Sequence, residues 1–489
     1  MNELEKNLQE LGKKIVENNL WRQRRCFNLI PSENTPSLLV KLCEISDPSG
    51  RYAEHKTALK KELAALDGTG ALKGNQVYYY QGVEFIYEIE ERLKKEFGRY
   101  ISASEVEART ISGQMANEVV FKAMVKFFAA GKEGFPKLSE TGRIATVMNN
   151  NLNYGGHLSA QPFGALFNHA ESDVVNFPLT ENNLYRTDVD KMLELLDLHR
   201  PSLIVFGKSM FLHPEPIKPL RDFIDKTDGY HPVIMYDAAH VMGILGPYFQ
   251  DPLTEGADVV TGSTHKTFFG PQRGIIAANM PKGSPMRKLW LEINSRTFPG
   301  STSNHHLGTL LALLVATFEM NHFKDEYQEQ VATNAKAFAK ACAGHGIPVE
   351  GGEEEGYTET HQVVIRVSRF GDAKEIATRL EENNIVTNYQ ALPDDENFYH
   401  PSGIRMGVPE MTRFGMKEAD FDNLARLMAD CIIHNKKVGD EVAEYRKKFT
   451  KMHYCLDTEQ TLRIAPAVFE SIFPDHAYFS SAAAALSRL

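Results

Sequence analysis

Residues 257–274 read ADVVTGSTHKTFFGPQRG, and the rest of the chain is best read outward from them. A short β-rich run, Asp258–Thr261, leads to Lys266 through Ser263, Thr264 and His265, and Phe268 and Phe269 follow. In an α/β sheet the C-terminal end of a strand faces the crevice where ligands bind. Most lysines are surface residues. Here the hydroxyl and imidazole donors and the two phenylalanines predict a partly dry setting, and desolvation turns a lysine into an imine-forming amine.

One strand upstream the chain reads PVIMYDAAHVMGIL (232–245), in which a β-rich run ends at Asp237 with His240 three residues on. An aspartate there can simply cap a helix. With a lysine 266 − 237 = 29 residues downstream, it is also placed to pair with the ring nitrogen of a pyridine cofactor. A third stretch, ARTISGQMANEVVFKAMVKF (108–127), puts the small turn Ser112-Gly113-Gln114 before a helix carrying Met115, Val119, Ala123 and Phe127 at intervals of four. Such a start offers unpaired N–H groups and a positive dipole end to an anion.

Around these stretches, strand-like runs alternate with helical ones. Arg143–Met148, Ser202–Phe206, Pro232–Tyr236, Asp258–Thr261 and Gly274–Ala278 are apolar on both faces, which predicts a mostly parallel sheet covered by helices. Residues 281–345 read as largely helical. After them come a strand at His361–Val367, a helix at Asp372–Asn383, a strand near Ile404–Gly407 and a helix at Lys417–His434, an α+β rhythm of its own. The expected division is an N-terminal helical arm and substrate-side segment over 1–50, a large α/β domain over 51–325, and a smaller C-terminal α+β domain with a tail over 326–489. Leu4, Leu8, Leu11 and Ile15 give the first helix an apolar stripe that needs a partner surface.

Composition removes several function classes. Lys and Arg number 54 against 64 Asp and Glu, a net of −10 that argues against a nucleic-acid-binding face. No apolar run approaches the ~18 residues of a membrane span. The opening MNELEKNLQE lacks a signal-peptide layout, and five cysteines without CxxC spacing fit reduced thiols better than a disulfide framework or a zinc site. The expectation is a cytoplasmic enzyme with no metal.

Taken together, Lys266 in STHK, Asp237 in YDAAH and the Ser112-Gly113 turn follow the layout of fold-type-I pyridoxal phosphate transferases. Over roughly residues 20–435 the chain resembles serine hydroxymethyltransferase and the related L-threonine transaldolases. LIPSEN (29–34), RYAE (51–54), YYQG (79–82), YGGHLS (154–159) and SGIRMG (402–407) carry the resemblance further. It implies that Lys266 holds the cofactor, that Asp237 pairs with its ring nitrogen and that His240 lies by its phenolic oxygen. Ser112, Gly113 and Gln114 would bind the phosphate, with Ser263 and His265 nearby, and His157 and Ser209 would be cofactor-side. Arg405 would clamp the substrate α-carboxylate beside Ser32. Glu54 would handle a proton, and Tyr52 and Tyr80 would reach into a neighbouring subunit's site, implying a homodimer or higher with shared sites.

Several positions depart from hydroxymethyltransferases. Gln114 replaces a serine, and Tyr154 replaces the imidazole that stacks on the ring. The stretch that reaches a partner's phosphate reads Gly300-Ser301-Thr302-Ser303-Asn304. Twenty-five residues separate Glu54 from Tyr80, with a helix-like run at Ala58–Leu66, and the folate contact is rewritten as Thr387-Asn388-Tyr389-Gln390. By contrast GPQRG with Gln272, YTETHQV (357–363) and MTRFGMKEADF (411–421) resemble the transaldolases. The resemblance therefore implies cleavage at the Cα–Cβ bond of threonine or serine through a glycyl quinonoid, with an aldehyde as acceptor. The alternative is a hydroxymethyltransferase using tetrahydrofolate. A non-catalytic binding protein is a third reading, opposed by the joint presence of Lys266, Asp237 and Arg405.

Overall fold

The computed structural model describes residues 2–57, 72–73, 76–172, 174–396 and 399–473, with residues 475, 477, 480, 481 and 484 beyond them. Its centre is a seven-stranded sheet made of β1 (Glu105–Glu107), β2 (Val147–Asn149), β3 (Val174–Asn176), β4 (Leu203–Phe206), β5 (Val233–Asp237), β6 (Val259–Ser263) and β7 (Gly274–Ala278). The order is β1-β7-β6-β5-β4-β2-β3, and β7 alone runs against the others. Every residue of β4, β5, β6 and β7 is buried, as expected of valine- and isoleucine-rich strands with helices on both faces.

Four of the five expected central strands appear within a residue or two of their places. The fifth starts late, because Ile144 instead makes isolated bridges to Leu138 and Ala170. β1 and β3 escape the sequence reading: each has three residues, and β1 carries two glutamates. Glu107 is tolerated inside because Arg109 pairs with it at 2.6 Å.

A second sheet is formed by β8 (Gln362–Arg366), β9 (Asn388–Gln390) and β10 (Gly403–Gly407), antiparallel in the order β8-β10-β9. Helix Ala373–Glu382 packs on it, and helix Glu418–Ile432 packs on that helix. The 38-residue helix Leu307–Gly344 packs against helices Leu38–Glu44, Glu84–Tyr100 and Glu418–Ile432, and the expected boundary at 325/326 falls inside it. The first helix runs from Glu3 to Arg24 and buries none of its residues. Between Glu54 and Tyr80 the described residues form a small antiparallel sheet of His55–Thr57, Leu72–Lys73 and Gln76–Tyr78. The expected helix at Ala58–Leu66 lies outside the described residues. Among the described residues no helix is long and apolar enough to cross a membrane.

Candidate active site

β6 ends at Ser263, and Lys266 follows three residues later with its Nζ 2.5 Å from Ser263 Oγ. The turn is fixed from outside. Asn34, the last residue of LIPSEN, donates to the Lys266 carbonyl at 3.0 Å, and Tyr327 OH donates to the Thr267 carbonyl at 2.7 Å. Phe268 and Phe269 are fully buried behind it. Burial pushes the Lys266 amine down to about 8; the Asp237 charge opposes this and the Arg405 charge adds to it.

Asp237 closes β5 and is the most heavily partnered group of the site. Its Oδ2 lies 2.6 Å from His157 Nδ1, and it accepts from Asn117 Nδ2 at 2.8 Å and Ser159 Oγ at 3.4 Å. Its Oδ1 accepts the Ala239 N–H at 3.0 Å. Burial by itself would raise this carboxyl, but the His157 charge and these hydrogen bonds outweigh it and hold the group at about 2.

Several other buried polar atoms of the predicted site lack partners among the described residues. His240 Nδ1, His265 Nδ1, Arg405 Nε and both ring nitrogens of His361 find no hydrogen-bond partner among the described residues. Burial keeps the imidazoles neutral, His265 at about 4 and His361 at about 3, and the nearby Lys266 or Arg405 charge works in the same direction. Arg405, at the centre of β10, donates through Nη1 to the Ser209 carbonyl at 2.5 Å. The Ser209 hydroxyl is itself spent on the Gly155 carbonyl at 3.3 Å, so in this structure Ser209 meets the site through its backbone. Ser32 lines a cavity of about 350 Å³ together with His265, Asn34, Gln272 and Glu410.

Helix Gly113–Ala129 begins beside the end of β6. Ser112 caps it by accepting the Met115 N–H at 3.1 Å, and a Cβ on Gly113 would stand 3.4 Å from the Ser263 Cβ. The other first-turn N–H groups, which have no partner within their own helix, thus open next to Ser263. Tyr154 is half-buried at the head of a turn whose Gly155 has φ 85°, a conformation in which a side chain would strike Met210.

Tyr52, Glu54 and Tyr80 form a separate group. The two tyrosine rings lie 5.1 Å apart and stand half-exposed, and among the described residues they share no hydrogen bond or ring contact with the Lys266 group. Their backbone is nonetheless firmly tied. Asn304 donates to the Arg51 carbonyl at 2.6 Å and accepts from the Ala53 N–H at 3.3 Å, and Arg109 donates to the His55 carbonyl at 2.8 Å. The buried His55 side chain meets Glu90 at 3.0 Å. His55, Glu90 and His305 have metal-ligand chemistry. Lys94 lies 2.8 Å from Glu90, however, and Arg273 is 3.2 Å from His305 Nδ1, so cations already serve this cluster.

The chain matches the serine hydroxymethyltransferase family profile over residues 4–428. It is 38% identical over 455 residues to serine hydroxymethyltransferase of Pyrobaculum aerophilum, covering 92% of this chain and 95% of that one. The chain belongs to the serine hydroxymethyltransferase family. The enzyme of that name from Staphylothermus marinus is 36% identical over 454 residues, covering 91% and 93%. Among solved structures, an L-threonine transaldolase from Pseudomonas fluorescens in its internal aldimine state superposes with a TM-score of 0.77 at 25% identity, over 96% of this chain and 98% of that one. The fold is thus that of a fold-type-I pyridoxal phosphate transferase, and the protein is a pyridoxal phosphate-dependent enzyme.

The residues present fit that cofactor. Its phosphate needs the N–H groups at the start of helix Gly113–Ala129, its carbonyl needs a neutral amine, and its ring nitrogen needs a carboxylate. The buried Nδ1 atoms of His240 and His265, unpartnered among the described residues, leave capacity for polar atoms of a bound group. The sequence reading missed Asn117, Ser159, Thr261 and His361. Asn117 left one trace: it is a polar residue between Ala116 and Val120 on the buried side of its helix.

Proposed function

We propose that this family member breaks the Cα–Cβ bond of a β-hydroxy-α-amino acid, threonine or serine, and joins the glycine unit to a second aldehyde, as an L-threonine transaldolase or aldolase does. The observation that carries the reading is the pairing of a buried amine near 8, Lys266, with a buried guanidinium, Arg405, whose Nε is unpartnered among the described residues. A carboxylate beside an imine-forming amine is what an amino acid presents. The choice of acceptor rests on the likeness to the transaldolase over 96% of this chain, and on Thr387–Gln390 and the 25-residue insertion, where the folate wall differs.

When bound, the cofactor supplies the ring that takes up the electron pair left on Cα. The chain does the rest. Lys266 would hold the cofactor, the Ser112–Gln114 helix start and the Ser263–His265 turn would take its phosphate, Tyr154 would offer its ring to the cofactor, and Asp237 would supply a negative charge to its ring nitrogen. Arg405 grips the α-carboxylate with two parallel hydrogen bonds beside Ser32, which orients the bond to be broken. Glu54 takes the β-hydroxyl proton, and Phe268 and Phe269 keep water from behind Lys266.

The same reading makes the protein a homodimer or larger, with Tyr52, Glu54 and Tyr80 completing a neighbour's site. The exposure of the two tyrosines and a first helix with no buried residue support it. It also keeps residues 326–489 as a smaller domain carrying Arg405. A folate-dependent serine hydroxymethyltransferase is the second reading, favoured by Glu54 in RYAE and by the names of the archaeal relatives.

The two separate in one experiment. Holoenzyme given threonine and a second aldehyde, without tetrahydrofolate, is expected to release acetaldehyde and form a new β-hydroxy amino acid. Serine cleavage that strictly requires tetrahydrofolate, with no turnover of threonine, would replace this reading by the second.

A further inference from the structure

Asn117 is 1% exposed and uses both ends of its amide. Thr261 Oγ1 donates to its Oδ1 at 2.5 Å, and the two Nδ2 hydrogens point the other way. They go to Asp237 Oδ2 at 2.8 Å and Ser159 Oγ at 2.6 Å. A flipped amide would set its oxygen against the acceptor-only carboxylate of Asp237, which disfavours that flip, and the Thr261 hydroxyl satisfies the oxygen end in the orientation that remains. With His157 Nδ1 at 2.6 Å and Ser159 Oγ at 3.4 Å, Oδ2 meets three donor groups. Oδ1 receives only the Ala239 N–H at 3.0 Å among the described residues and keeps a lone pair.

The asymmetry has a consequence for the cofactor. We propose that Asn117, its amide held between Asp237 and the Thr261 hydroxyl, is a positioning residue that holds Asp237 ionised and turns its Oδ1 toward the ring nitrogen of pyridoxal phosphate. This rests on the reading of Asp237 given above. A buried asparagine serving only to fill space would need no hydroxyl to satisfy its oxygen, since an apolar side chain fills the same volume without the cost of burying an amide.

The test uses full-length Asn117→Ala, Thr261→Val and Thr261→Ser, with folding checked by circular dichroism. Two quantities are read: the dissociation constant for pyridoxal phosphate and the pH midpoint of the bound cofactor's visible band. Asn117→Ala is expected to weaken binding about tenfold or more and to move the midpoint by about one pH unit. Thr261→Val should move both the same way by less, Thr261→Ser should restore them, and the double variant should match Asn117→Ala alone. If Asn117→Ala does not fold, Thr261→Val, which keeps the volume, decides. Asp237→Asn separates the two levels of the argument. If it too leaves affinity and band unchanged, the reading of Asp237 fails. If it changes both while folded Asn117→Ala and Thr261→Val change neither, the present inference is overturned and that reading stands.

Discussion

Asp237 is 2% exposed and its Oδ2 meets three donor groups, whereas Tyr52 and Tyr80 stand 52% and 43% exposed against each other's rings. On the proposed function the two regions serve one reaction, but they do not pose one packing problem. A buried carboxylate must be satisfied within its own chain, because an unpaired charge in the interior is too costly to keep. Two exposed tyrosines on a tightly tied backbone have been positioned but not covered. The comparison predicts that the cofactor side works from within one subunit and that the hairpin side works on another.

The largest effect should come from the cofactor side. Lys266→Ala should lose essentially all turnover, and borohydride reduction of the wild-type holoenzyme should fix the cofactor to Lys266 alone. A reduced adduct on another lysine would remove the centre of the assignment. Next is Arg405→Lys, which keeps the charge but cannot form a bidentate pair. Losing one charge-assisted hydrogen bond, roughly 2 kcal/mol, should raise KM for the amino acid about 30-fold with a smaller change in kcat. A fall in kcat at constant KM would place Arg405 elsewhere in the reaction.

Mixing variants tests the division itself. Lys266→Ala and Glu54→Gln damage opposite regions, so hybrids formed by unfolding and refolding them together should contain one site with neither lesion. Random pairing would return about a quarter of the wild-type rate, from two nearly inactive parents. No recovery in hybrids shown to form would place Glu54 and Lys266 of the same subunit in one site.

The parts legible in sequence are those with a one-dimensional signature. Valine- and isoleucine-rich runs announced the central strands, and Lys266 and Asp237 stood out because each sits at the end of such a run. Three-residue strands with glutamates left no comparable signal, and Glu107 could enter β1 only because Arg109 neutralises it. The Asp237 network was hidden for a related reason. Asn117, Ser159 and Thr261 lie on three elements up to 144 positions apart, and only the packing of helix Gly113–Ala129 on β6 and on the turn Leu158–Ala160 brings them together. His361 lies within YTETHQV, but its burial, with neither ring nitrogen hydrogen-bonded among the described residues, depends on where β8 meets β10.

The smallest effect concerns pH, and it shows which region governs the Lys266 amine. Burial lowers that amine to about 8, Asp237 opposes the shift and Arg405 adds to it. Only the neutral amine attacks a carbonyl, so the rate at which cofactor-free protein captures pyridoxal phosphate should follow the neutral fraction. The sign is fixed: a lowered value means the proton leaves earlier. Capture should rise with pH and level off just above 8, where a lysine with the ordinary value of about 10.4 would still be climbing. Asp237→Asn removes the opposing charge, so the plateau should begin at lower pH. Arg405→Gln removes the assisting charge and should move it higher. Tyr52→Phe changes the other region and should leave the profile in place. Capture by the wild-type protein that keeps rising beyond pH 10 would show that Lys266 is not held in a dry setting before the cofactor arrives.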